Sequence, residues 1–304
     1  MNNTLYEEII LGKLGKIQNC ELISNQNNVV YRLIKDDIVY YVKFYTNYTM
    51  HQDNECLLYN NATYDLLKYM KEVVCEGNEG NMHYAVYKEI DGDMLCDLLH
   101  YSTEKNKISS LVAHAFKQYT QLMYSMESVD YGFLRGSFTG SHKEFIDFLW
   151  EYQHVTTKTL LKNDVTKEYA ALPYHLISQY YELLDTTQHG VVPIDNNFKN
   201  IIICGETVKF IDPGSIISGP IEMAYGEFVA HAYGTEVFDE FVKIMNFDNE
   251  TQKRIRIYAI LSCLNILAFL VRTNTNSLDK MTPFGNDKPF FEQILEHMMF
   301  LNER

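Results

Sequence analysis

The sequence predicts an α+β chain of two unequal lobes: a small, antiparallel, five-stranded N-terminal lobe with one helix, then a larger, mostly helical C-terminal lobe. Three observations carry this expectation. Runs rich in Val, Ile and Tyr cluster before residue 90, and long helical patterns dominate beyond Gly92. Between them lies one short turn, Glu89-Ile90-Asp91-Gly92. The boundary is therefore placed at residue 90, with a first lobe over 1–90 and a second over 91–304.

Taken in order, residues 3–12 read as a short leading helix. Three β-like runs follow: Ile17–Ser24, Val29–Ile34 and Ile38–Phe44, separated by Asn-rich and Lys-Asp-Asp turns. Met50 to Lys71 is helical in composition, and Val73–Cys75 and His83–Lys88 complete a five-stranded sheet with a helix against it. Helical patterns then occupy about 93–100, 105–126, 141–162 and 165–185. After a loop and a hairpin they return near 221–232, 235–246, 250–275 and 287–302. The glycine-containing loop from Asp130 to Gly140 reads as a lid or a connector. A cleft between the lobes is the expected ligand site.

Composition narrows the function. The 304 residues carry a net charge of −14, divided as 8 basic against 13 acidic residues in 1–92 and 18 against 27 beyond. No basic stripe exists to neutralise phosphates, so nucleic-acid binding is disfavoured. An acidic field suits a cationic small molecule. The first residues lack a basic start and an apolar run, so no signal peptide is expected. The apolar stretch Tyr258–Val271, interrupted by Ser262 and Asn265, is short for a membrane span and reads as a buried helix. Six cysteines without C-x-x-C or Cys/His clustering fit reduced thiols in a cytoplasmic protein and argue against a zinc site.

The chemistry concentrates in Val192-Pro193-Ile194-Asp195-Asn196-Asn197-Phe198-Lys199-Asn200 and in Phe210-Ile211-Asp212-Pro213-Gly214. Asp195 and Asn200 are five apart, and Asp212 follows two short β-like runs joined by Gly205-Glu206. D-x-x-x-x-N alone is a common spacing. Placed before a hairpin and followed by Ile-Asp-x-Gly, it suits phosphoryl transfer, in which a carboxylate orients the acceptor hydroxyl while an amide and a second carboxylate hold Mg²⁺. Upstream, alternation puts Lys43 on one face of its strand with Tyr41 and Val39, away from Val42 and Phe44. Lys43 is the candidate contact to nucleotide phosphates, and Glu55 on the next helix its ion-pair partner. Tyr41 is a candidate adenine platform. Lys88 and Ile90 offer backbone groups to an adenine edge, and Asn28 lies in the glycine-free turn where a phosphate-covering loop would run. His189 reads as structural.

With these residues in this order, the chain resembles the aminoglycoside phosphotransferase-like family, small-molecule kinases with a protein-kinase-like fold. The resemblance spans about residues 15–240. It implies Asp195 as catalytic base, Asn200 and Asp212 as metal ligands, Lys43 as phosphate contact and Tyr41 as adenine neighbour. Two positions depart from the family pattern. Pro193-Ile194 stands where His-Gly is usual before the aspartate, and the acidic residue of a G-[DE]-P segment is missing at Gly219-Pro220, with Glu222 and Glu227 the nearest substitutes.

The resulting expectation is an ATP- or GTP-dependent, Mg²⁺-requiring phosphotransferase. Its acceptor would be a hydroxyl of a small cationic molecule, foremost an aminoglycoside antibiotic, with choline- or methylthioribose-like metabolites as alternatives. Glu222, Glu227, Asp147 and Glu151 are the acidic candidates for an amine-binding wall. The rival reading is a nucleotide-binding module without turnover. Nucleic acid and membrane are not expected partners.

Overall fold

The computed structural model describes residues 3–25, 28–45, 54–79, 82–134, 136–213 and 215–303. The chain begins with helix α1 (Asn3–Leu14) and strands β1 (Asn19–Asn25), β2 (Val29–Lys35) and β3 (Ile38–Tyr45). Helices α2 (Asn54–Asn61) and α3 (Tyr64–Leu67) follow, then β4 (Val73–Glu79) and β5 (Met82–Lys88). All five strands pair antiparallel in the order β1-β2-β3-β5-β4. Alternation decides the faces. Val29, Tyr31 and Leu33 of β2 and Val42 and Phe44 of β3 are buried against Tyr6, Ile9 and Ile10 of α1. The sheet thus carries a helix on both faces, where the sequence suggested one helix against it.

The helical stretch expected from Met50 to Lys71 is two helices. The first ends at Asn61, and Thr63, in extended backbone, caps α3 by accepting the Leu66 N–H at 3.3 Å. Residues 50–53 of that expectation lie outside the described residues. Leu58, Leu66 and Met70 are buried in the same core as Phe116 and Tyr119, so α2 and α3 bridge to the second lobe.

The second lobe opens with β6 (Asp93–Met94), α4 (Leu95–Tyr101), α5 (Lys105–Tyr124), β7 (Gly132–Phe133) and α6 (Phe145–Leu160). The helix expected over 165–185 is broken into α7 (Leu172–Gln179) and α8 (Tyr181–Leu184), because Pro173 fits only a first turn. Then come β8 (Gly190–Pro193), β9 (Ile201–Cys204), β10 (Thr207–Phe210) and β11 (Ile216–Gly219). The chain closes with α9 (Ile221–Ala232), α10 (Glu236–Met245), α11 (Asn249–Arg272) and α12 (Phe290–Asn302). Two small sheets, β10-β9-β6 and β7-β11-β8, lie in this lobe. The loop at 130–140 contributes β7 to the second of them, so it is a tied connector.

Phe116 of α5 and Phe228 of α9 stack at 3.9 Å, with Phe241 of α10 edge-on to both. All three are fully buried, and truncating one to Ala would cost about 3–5 kcal/mol. Helix α11 is long and apolar enough to cross a membrane by length and composition. In the fold it runs through the second core, with Ile257, Ile260, Leu264 and Leu267 packed inside the protein. Gly226 lets α9 lie close on α11, since a Cβ there would stand 2.4 Å from that of Tyr258.

Candidate active site

Lys43 points away from the α1 core, on the face shared with Tyr41 and Tyr45. It is 8% exposed, and a buried cation requires counter-charges. It has two. Its Nζ lies 3.4 Å from Glu55 Oε1 and also donates to Asp212 Oδ1, so one side chain ties β3, α2 and the loop after β10 together. Glu55, 2% exposed at the start of α2, accepts in addition from Lys71 Nζ at 3.1 Å, from Tyr45 OH at 2.7 Å and from Tyr87 OH. Lys71 itself stands over the Tyr87 ring at 3.7 Å.

The charges follow from these contacts. Burial disfavours charged Lys43, but the carboxylates of Glu55 and Asp212 outweigh it and hold its pKa above the ordinary value. Burial likewise opposes charged Glu55, yet Lys43 and Lys71 prevail and hold that carboxyl well below the usual range. Tyr45 and Tyr87 are pushed up, first by burial and then by the Glu55 charge, so both remain donors.

The second wall is the loop after β8. Pro193 pairs with Ile216, and Ile194 N–H donates to the Ser215 carbonyl at 2.9 Å. Ile211 N–H donates to the Asn200 carbonyl at 2.8 Å. These two bonds bring the Asp195–Asn200 loop beside Asp212, which holds a left-handed backbone, φ 54°. Within the loop, Asn197 caps the turn over Phe198–Asn200 and donates to Asp195 Oδ1 at 2.7 Å. Asn200 Nδ2 donates to the Asp195 carbonyl at 3.1 Å.

Beneath this loop lies Glu227 of α9, buried. It accepts the Asn196 N–H at 2.8 Å and contacts His231 Nε2 at 3.0 Å. Burial, followed by the Glu227 carboxylate, pushes Asp195 up to about 6; Asp212 adds to the rise, while the Asn197 hydrogen bond and His231 oppose it.

Five of the sequence-selected residues therefore converge: Lys43, Glu55, Asp195, Asn200 and Asp212. Tyr41 lies at the rim, its hydroxyl donating to Glu89 Oε1 at 3.2 Å. Lys88 ends β5 with an exposed side chain and its N–H on the Glu72 carbonyl, and Ile90 follows in the linker. Asn28 lies in the bend before β2, while Gln26, Asn27 and Gly214 fall outside the described residues. The ring of His189 contacts the Ser128 carbonyl at 3.2 Å and packs on Tyr131.

The four acidic candidates for an amine-binding wall have these surroundings. Glu227 is buried under the loop, Glu222 is bound to Arg254 at 2.9 Å, Glu151 contacts His142 at 3.0 Å, and Asp147 is simply exposed. Sequence reading missed the supporting set of Tyr45, Lys71, Tyr87 and His231. Only the Glu227-x-x-x-His231 spacing, which puts both side chains on one helix face, signalled any of it.

The donor set fits a hard divalent cation. The Asn200 amide turns its nitrogen to the Asp195 carbonyl, which leaves its oxygen as a donor, and Asp212 supplies a carboxylate on the adjoining strand end. One amide oxygen and one carboxylate suffice for Mg²⁺ when phosphate and water complete the shell.

No family model and no curated protein matches the sequence. Solved structures match the fold along its whole length. The aminoglycoside phosphotransferase APH(4)-Ia superposes with a TM-score of 0.73 over 99% of this chain and 98% of its own, at 12% identity. The choline kinase LicA from Streptococcus pneumoniae gives 0.62 over 99% of each chain at 13% identity. A GDP complex of aminoglycoside 2'-phosphotransferase-IIIa gives 0.62 over 99% and 97% at 10% identity. The fold is thus the bilobal, protein-kinase-like fold, and the solved structures that share it here are small-molecule phosphotransferases.

Proposed function

We propose that this chain transfers the γ-phosphoryl group of ATP or GTP to a hydroxyl of a small cationic molecule. One observation carries the reading: buried Lys43 is paired at once with Glu55 and with Asp212, and the Asp212 loop is hydrogen-bonded to the loop of Asp195 and Asn200. In this reading residues 1–90 hold the nucleotide and residues 91–304 supply the catalytic loop and the acceptor pocket. Lys43 contacts the nucleotide phosphates, with Glu55 fixing its position. Tyr41 lies under the adenine, the Lys88 and Ile90 backbone reads its edge, and Asn28 covers the phosphates.

Asp195 orients the acceptor hydroxyl for in-line attack and takes up its proton as the new O–P bond forms. A carboxylate raised to about 6 is ionised at neutral pH yet a stronger base than an exposed one. Asn200 and Asp212 would hold Mg²⁺, which supplies neutralisation of phosphate charge.

The acceptor class rests on the net charge of −14 and on the neighbours. A thermostable mutant of APH(4)-Ia forms a ternary complex with ADP and hygromycin B, which favours an aminoglycoside-type acceptor. The choline kinase neighbour keeps a quaternary-amine metabolite as the second reading. Incubation with Mg²⁺ and ATP or GTP across aminoglycosides, choline and neutral sugar alcohols, read by mass spectrometry, should give one product heavier by a phosphoryl group. Failure of every acceptor with both nucleotides would overturn the reading.

A further inference from the structure

Behind the Lys43–Glu55 pair, the next residue of α2 belongs to a second cluster. Cys56 Sγ, a Glu76 carboxylate oxygen and a His83 ring nitrogen all lie within 4.8 Å of one another. They come from α2, β4 and β5, so no sequence spacing announces them. Asn78 pairs with His83 and Glu76 with Ala85, which makes Glu76 and His83 diagonal neighbours on one sheet face. Cys56 packs over that face with Tyr45, Ala85 and Tyr87.

We propose that Cys56, Glu76 and His83 form a binding site for a thiophilic divalent cation of the Zn²⁺ class, stapling α2 to the β4–β5 hairpin. The orientation of the two polar ligands supports it. His83 Nδ1–H donates to Asn78 Oδ1 at 3.1 Å, which leaves the lone pair on Nε2. Nε2 is buried without a hydrogen-bond partner among the described residues and stands 3.6 Å from Glu76 Oε2. Asn60 Nδ2 donates to the other carboxylate oxygen at 2.9 Å, turning Oε2 toward His83. Two acceptors facing each other in this way are reconciled by a shared proton or by a cation. Both are held by an outer asparagine, as ligands of metal sites are.

The donor types select the cation. One sulfur, one imidazole nitrogen and one carboxylate oxygen suit Zn²⁺, whereas Mg²⁺ and Ca²⁺ take oxygen. With bonds of about 2.0 Å to N and O and about 2.3 Å to S, tetrahedral ligand atoms stand roughly 3.3–3.6 Å apart. The His83–Glu76 spacing already meets this, and Glu76 on the exposed edge strand leaves the fourth position open to water. A thiolate and a carboxylate neutralise the divalent charge. Cys56 would bind as the thiolate, so metal uptake releases a proton. Cys56 adjoins Glu55, and His83 packs on Tyr45 at 5.4 Å, so an occupied site would hold the Glu55 end of α2 in place.

The test uses the full chain stripped with a chelator, then titrated with Zn²⁺ against a chromophoric competitor and, separately, with Co²⁺. One Zn²⁺ per chain is expected, and Co²⁺ should give a near-ultraviolet thiolate charge-transfer band that Cys56→Ser abolishes. Glu76→Gln, at an exposed position that leaves packing intact, and His83→Gln should each weaken Zn²⁺ at least about tenfold. Circular dichroism checks that each variant is folded. Less than stoichiometric Zn²⁺, or Cys56→Ser binding as wild type does, overturns the proposal. The readout is metal content, so its failure leaves the phosphotransfer reading untouched, and the reverse also holds.

Discussion

Glu55 and Asp195 are carboxylates on opposite walls of one site, and their surroundings drive them in opposite directions. Glu55 has two ammonium groups and two phenol donors within hydrogen-bonding reach, and its pKa falls despite complete burial. Asp195 has one amide donor on its carboxylate and feels the like charges of Glu227 and Asp212, and its pKa rises. Burial is common to both, so the neighbours decide the sign. In the proposed reaction this difference would separate roles: Glu55, held ionised, would position Lys43, whereas Asp195 would be basic enough to take a proton.

Removing the counter-charge is the strongest way to break this contrast. Glu55→Gln leaves Lys43 and Lys71 short of a buried partner, and loss of one member of such a set costs roughly 3–5 kcal/mol. Urea unfolding should register that loss, and a change near zero would mean that Lys43 is adequately held by Asp212 alone. Tyr45→Phe deletes a single 2.7 Å donor to the same carboxylate and should destabilise by about 1.5–3 kcal/mol in the same measurement.

On the other wall the effects are pH shifts. Asp195 is raised from 3.8 to about 6, so the folded chain keeps a proton that the unfolded chain has lost. Its contribution to stability is full below about pH 4 and disappears as pH rises through about 6. Activity runs the other way, because the base must be ionised; kcat/KM should climb through the same window. Glu227→Gln removes the like charge and keeps an acceptor for the Asn196 N–H, so the acidic limb should move to lower pH. Asn197→Ala removes the opposing hydrogen bond and should move it, by less, to higher pH. Shifts in the same direction for both variants would contradict the assignment.

Much of this was legible in the sequence because the signals are local. Alternation in 29–44 gave the faces of β2 and β3, and with them the direction of Lys43. The helix at 221–232 is found at the bounds its pattern suggested. What escaped were features that need two distant segments. Strands β8 and β11 are only four residues each, too short to distinguish from other buried chain, and they exist because they pair. In the sequence Glu227 is only an acid near a departure from the family pattern; the hydrogen bond it accepts from the Asn196 N–H in the fold shows it supporting the Asp195 loop. The Cys56–Glu76–His83 cluster was invisible for the same reason, since spacing in sequence argued against any such grouping.

The most direct test of the central claim is to measure nucleotide affinity and phosphorylation of the accepted small molecule in the same preparations of wild type and Asp195→Asn. The account predicts that nucleotide binding stays near wild type while transfer falls by about 10²–10⁴-fold, the scale of a lost general base. Transfer at an undiminished rate in Asp195→Asn would contradict it.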